Sequence, residues 1–193
     1  VADPYVYPGT SVLRNLAGLQ DADAVADHEA QASTLRLVQL AALRVEGAYD
    51  LVHLQEFHRF IFQDIYAWAG ELRNVPLAKP GSMFALPEHI EGYATEVLRQ
   101  LNDERHLHDL PRDEFAARLT HYYAEINAVH PFREGNGRAQ RAFLRQLALD
   151  AGHTLAWEHL DSKALVHASQ RSLQGDNVPM RDLIETVLDL PGR

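Results

Sequence analysis

Apolar residues recur at three- and four-residue intervals along most of the chain, which is the signature of amphipathic helices packed face to face. Leu51, Leu54, Phe57, Ile61 and Ile65 define one such stripe over residues 51–66. Phe115, Leu119, Tyr122, Tyr123, Ile126 and Val129 define a second, in a helix that starts after the Pro-Arg-Asp-Glu stretch at Pro111. An alanine- and leucine-rich run over 21–45, ended near Gly47, predicts an earlier helix. Pro87, in a favoured first-turn position, opens another that runs to Leu107. Further helices are predicted from Asn136 or Gly137 to Ala151 with Gly152 past the end, over 161–173, and from about Pro179 to Leu190. Pro131 disfavours helical geometry at His130, so the second striped helix should stop at that histidine.

The periodicity breaks once. Residues 71–84 carry three prolines or glycines around a Lys-Pro-Gly-Ser turn signal at 79–82, flanked by short apolar runs. A short β-hairpin is predicted there, and all-α architecture for everything else. No internal repeat or long linker divides the chain, and 193 residues suffice for one domain with a sizeable core. The expectation is a single domain over 1–193, with a core at about 5–155 and C-terminal helices at about 161–190.

Composition narrows the function. With 46% hydrophobic and 23% charged residues the chain is not a disordered one. A net charge of −9 argues against a broad basic face, so no direct nucleic-acid binding is expected. No apolar run is long enough to span a bilayer, and the first ten residues lack the pattern of a signal peptide. The absence of cysteine excludes disulfides and thiolate metal sites and fits a reducing, cytoplasmic setting. The eleven histidines form no zinc pattern: His53 and His58 are five apart, His106 and His108 two apart.

The chemistry concentrates in the stretch HPFREGNGRAQR, from His130 to Arg141. It reads as a helix end, a loop and a new helix start. A helix start presents unpaired N–H groups and the positive end of the dipole, and Gly135 and Gly137 let an anion approach the backbone closely. Arg138 and Arg141, three apart, share a face beside that nest. Glu134 repels phosphate unless a divalent cation stands between them, and magnesium characteristically takes one or two carboxylates plus phosphates. His130 has the one side-chain type in the loop that titrates near neutrality, as a general base should. The set is what phosphoryl or nucleotidyl transfer requires.

The stretch resembles the Fic signature H-x-F-x-[D/E]-G-N-G-R-x-x-R at every defined position: His130, Phe132, Glu134, Gly135, Asn136, Gly137, Arg138 and Arg141. The upstream segment IYAWAGELR and the opening YVYPGTSVLRN are similar to Fic domains as well, so the likeness covers most of residues 5–155. It implies a Fic-type helical bundle with a short β-hairpin flap, and transfer of AMP from ATP to a Tyr, Ser or Thr hydroxyl of a target protein. By the same resemblance His130 is the base and Glu134 holds Mg2+. Gly135, Asn136 and Gly137 form the anion hole, Arg138 and Arg141 contact the phosphate tail, and Phe132 fixes the loop in the core. The flap, with Met83 and Phe84 at its end, positions the target by strand addition.

Other readings stand beside this one. A Doc-like kinase transfers the γ-phosphate, but such proteins typically have Lys where this chain has Gly137. UMP or phosphocholine transfer uses the same motif. An inactive scaffold that binds only nucleotide or a partner usually lacks the histidine or the acidic residue, and both are present here. The inhibitory motif [S/T]-x-x-x-E-[G/N] of many Fic proteins is missing: Glu46, Glu91 and Glu134 precede glycine, but Ala42, Pro87 and His130 stand four residues before them. The resemblance therefore implies a toxin restrained by a small antitoxin protein in trans, or by a segment N-terminal to Val1. It points to a type II topoisomerase as the target.

Overall fold

The structure is a computed structural model describing residues 3–79 and 82–190. Its elements run in the order α1 (Ala22–Leu40), α2 (Leu51–Phe62), β1 (Ala78–Lys79), β2 (Ser82–Met83), α3 (Pro87–Asp103), α4 (Arg112–Val129), α5 (Asn136–Asp150), α6 (Ser162–Leu173) and α7 (Val178–Val187). Short 3-10 turns, Arg105–Leu107 and Trp157–His159, follow α3 and α5. The all-α expectation holds, as does the single hairpin. β1 and β2 pair antiparallel, Ala78 with Met83 and Lys79 with Ser82. The turn residues Pro80 and Gly81, and the side chains of Lys79 and Met83, lie outside the described residues.

The predicted stripes are the core. Leu54, Phe57, Ile61 and Ile65 on α2 and just past it meet Phe115, Leu119, Tyr122 and Val129 of α4 and Phe143, Leu144 and Leu147 of α5 in one cluster. Burying side chains of this size stabilises the fold by roughly 1.5–3 kcal/mol each. α4 is the central helix, packed by α3, α5, α6 and α7, and α1 lies against α2. Asp21, Asp50 and Asp161 cap the starts of α1, α2 and α6 by accepting from the backbone N–H three residues on.

The helix ends depart from the periodic pattern where tertiary partners compete for the backbone. α1 stops at Leu40 rather than near Val45. Val45 is instead held from both sides: its N–H donates to Gln146 Oε1 at 3.0 Å, and its carbonyl accepts from Gln146 Nε2 and His53 Nε2 at 2.9 Å each. The neighbouring Arg44 pairs with Asp150. α2 ends at Phe62 and continues to Tyr66 only as turns. α3 gives way after Asp103 to a 3-10 turn in which Arg105, His106 and Leu107 all have positive φ. α7 stops at Val187 because Leu188 leaves to pair with Leu155.

Among the described residues no helix is long and apolar enough to cross a membrane.

Candidate active site

α4 ends where the proline required. Val129 is its last residue and His130 caps it, with φ 47° and ψ 62°. That left-handed conformation is uncommon for a side chain with a Cβ and persists only where the surroundings over-determine it. Here four consecutive carbonyls at the helix end are taken by the segments flanking the flap. Ala128 O accepts from Ala85 N–H at 3.1 Å and Pro131 O from Arg73 N–H at 2.9 Å. Val129 O and His130 O accept from the Arg73 guanidinium at 3.3 and 2.8 Å.

Past His130 the loop turns inward. Phe132 is fully buried and stacks on His58, with ring centroids 3.9 Å apart. The Asn136 side chain brackets Phe132, accepting from its N–H at 2.8 Å and donating to its carbonyl at 2.7 Å. The Asn136 amide therefore fixes the loop. Gly135 caps α5 with φ 78°, and a Cβ there would stand 2.2 Å from the Phe62 ring, so glycine is required twice over. The Gly135 N–H donates to the carboxylate of Glu134 at 2.8 Å. The carboxylate is half-exposed and lies 3.6 Å from Arg138.

The two arginines of the motif part company. The Arg141 guanidinium lies over Gly137, 3.0 Å from where a Cβ would be, directly at the start of α5. Burial lowers its pKa from the usual arginine value, partly offset by Tyr123 beside it. Arg138 turns instead toward α1, where it pairs with Glu29, donates to Ser33 Oγ at 3.0 Å and lies over the Phe62 ring. Both arginines still line a cavity of about 560 Å³ between the end of α1, α5 and residues 154–158, with Leu37, Leu40, Ala142 and Trp157 among its walls.

The flap covers the other side. Phe84, which follows β2, is buried and stacks on the His130 ring, centroids 3.7 Å apart and planes within 15°. Two residues that carry no motif signal complete the frame. His58 accepts from Gly70 N–H at Nδ1, 2.8 Å, and so must carry its proton on Nε2, which donates to Glu134 O at 2.9 Å. Burial pushes its pKa down to about 4, with Arg138 and Arg59 acting the same way. Arg133, the variable motif position, is tied to Asp3 at 2.8 and 3.0 Å.

A helix C-terminus that bears an imidazole, the N-terminus of the next helix, a guanidinium above that N-terminus and a carboxylate on the Gly135 N–H thus follow one another along a short stretch of chain. Such groups can receive an anion and offer a base. Residues 48–148 match the model of the Fic/DOC family, and the chain belongs to it. It is 38% identical to the probable protein adenylyltransferase Fic of Salmonella typhimurium over 188 residues, covering 96% of this chain and 92% of that protein. It is 39% identical to the protein adenylyltransferase VbhT of Bartonella schoenbuchensis over 182 residues, 94% of this chain but only 38% of VbhT. Among solved structures, BepC of Bartonella tribocorum with bound AMPPNP superposes with a TM-score of 0.90 at 26% identity, covering 98% of this chain and 97% of that one.

Proposed function

We propose that this chain is a protein adenylyltransferase that moves AMP from ATP to a hydroxyl side chain of a target protein. The observation that carries the reading is the placement of His130 between the flap and the α5 N-terminus, with the Arg141 guanidinium over Gly137. The relatives named as adenylyltransferases, and the AMPPNP-bound structure of the same fold, support the same choice of co-substrate.

In this reading the target hydroxyl gives its proton to the His130 imidazole as its oxygen attacks the α-phosphorus, and pyrophosphate leaves. The backbone N–H groups at the start of α5 and the Arg141 guanidinium receive the negative phosphate oxygens. Phe84, stacked on the His130 ring, sets the flap that presents the target beside that base. Glu134 offers a single half-exposed carboxylate, and among the described residues no group of three or more ligating side chains forms an all-protein metal site. That fits magnesium held by Glu134 together with nucleotide phosphates, where the ion would neutralise phosphate charge. The cavity beside Arg138 and Arg141 supports restraint in trans: a small helical partner could lay apolar side chains against Leu37, Leu40 and Ala142 and a carboxylate against Arg141.

Label supplied in the α-phosphate of ATP should stay on the acceptor protein, and label in the γ-phosphate should not. Retention of γ-label alone would make the chain a kinase. His130→Ala should bind ATP like the wild type by calorimetry and transfer no label.

A further inference from the structure

Arg73 lies in the stretch Gly-Glu-Leu-Arg-Asn-Val that leads into the flap, and it is 2% exposed. Its guanidinium meets only carbonyls. Nε donates to His130 O at 2.8 Å, Nη1 to Val75 O at 2.8 Å, and Nη2 to Ala85 O at 2.5 Å and Val129 O at 3.3 Å. Val75 stands before the hairpin and Ala85 after it, so one side chain holds both feet of the flap. The same side chain holds the last two carbonyls before Pro131, one of them that of His130 itself. Among the described residues no carboxylate approaches Arg73 within ion-pair distance.

A buried cation without a counter-ion is normally avoided. It is tolerated here because the negative end of the α4 dipole and the oriented carbonyls take the place of a carboxylate. An apolar residue would leave those carbonyls without a donor, and a lysine ammonium, compact and strongly hydrated, cannot reproduce the planar fork. Arg73 N–H to Pro131 O and Ala85 N–H to Ala128 O extend the same seam by one bond on each side. The result is a single unit in which the flap, which bears Phe84, and the helix end, which bears His130, cannot shift independently.

We infer that Arg73 is a positioning residue of the transfer reaction: through the flap feet and the α4 carbonyls it sets the His130 imidazole in register with the flap that presents the target. The inference rests on the AMP-transfer reading and deepens it. It separates two quantities. Nucleotide is held by the α5 N-terminus and Arg141, neither of which Arg73 touches, so ATP affinity should not depend on it. The rate of transfer should, because attack is steep in geometry and a displacement of about 1 Å costs roughly a hundredfold.

The experiment compares the wild type with Arg73→Lys and Arg73→Ala, using α-labelled ATP with magnesium and a bacterial lysate as acceptor, beside calorimetric titration with ATP alone. Both variants should bind ATP within about twofold of the wild type and transfer label about a hundredfold more slowly. Guanidinium ion at non-denaturing concentration should raise the rate of Arg73→Ala by refilling the fork, and ammonium ion should not. Transfer by Arg73→Lys at the wild-type rate overturns the inference, and so does a parallel fall of rate and ATP affinity in both variants, which marks a role in stability alone. If the wild type itself transfers no label, AMP transfer is what has failed, and amide hydrogen exchange decides the present point. In Arg73→Lys the Ala85 N–H should exchange at least about tenfold faster while the amides in the middle of α4 keep their protection. Unchanged Ala85 exchange overturns it.

Discussion

His58 shows how much a single side chain can hold. It is sandwiched between Phe62 and Phe132, receives one backbone N–H and donates to the carbonyl of Glu134, so it joins the segment before the flap to the motif loop. This bonding is available only to the neutral ring. With its native pKa pushed down to about 4, the unfolded chain binds a proton on this residue below about pH 6.5 that the native chain does not. Its contribution is therefore intact above that pH and is lost as pH falls from about 6.5 toward 4. His53 and His106 are also lowered by burial, so the His58 part is isolated by comparison with His58→Gln, whose amide can offer an acceptor and a donor. Between pH 6.5 and 5 the wild type should lose about 2 kcal/mol more unfolding free energy than the variant in urea titrations. Parallel losses would remove His58 as the acid-sensitive joint.

At the scale of elements, the start of α5 is the most constrained junction. Gly135 combines a left-handed backbone with contact to Phe62, so Gly135→Ala should cost about 2–4 kcal/mol from strain and overpacking together. Thermal unfolding should show it as a lowered midpoint, and label transfer should fall further than stability alone explains because the N–H nest turns with the helix. The helices themselves were largely legible in the pattern of apolar positions. The stripes of α2 and α4 are core in the structure, and Pro131 foretold the end of α4 to the residue. What the pattern could not carry were ends decided by distant partners. Val45 leaves the α1 path because Gln146, about a hundred positions away, captures its backbone. Leu188 leaves α7 for Leu155. The same holds for the site. The motif announced His130, Glu134 and Arg141, since their spacing is local. It said nothing of His58 or the Glu29 that holds Arg138, which act across the fold without a periodic or motif signal, and although Arg73 closes the Fic-like segment IYAWAGELR, that likeness gave it no role.

For the whole molecule, the proposed restraint in trans predicts a growth phenotype. No described carboxylate pairs with Arg141, and the cavity beside it is open. Expression of the chain alone should slow bacterial growth, and His130→Ala should relieve the effect. Co-expression of a small partner that presents a glutamate to Arg141 should relieve it as well, and neutralising that glutamate should restore it. Normal growth with the intact chain abundantly expressed would count against a toxin. The first described residues also bear on how the molecule can be handled. Asp3 grips Arg133 inside the motif loop, and the Tyr5 hydroxyl receives the N–H of Asn74 at the approach to the flap. A protease cut or a bulky affinity tag placed next to Asp3 therefore acts on the reaction centre itself, so a preparation trimmed there should be judged as a different enzyme rather than as a shortened copy of the same one.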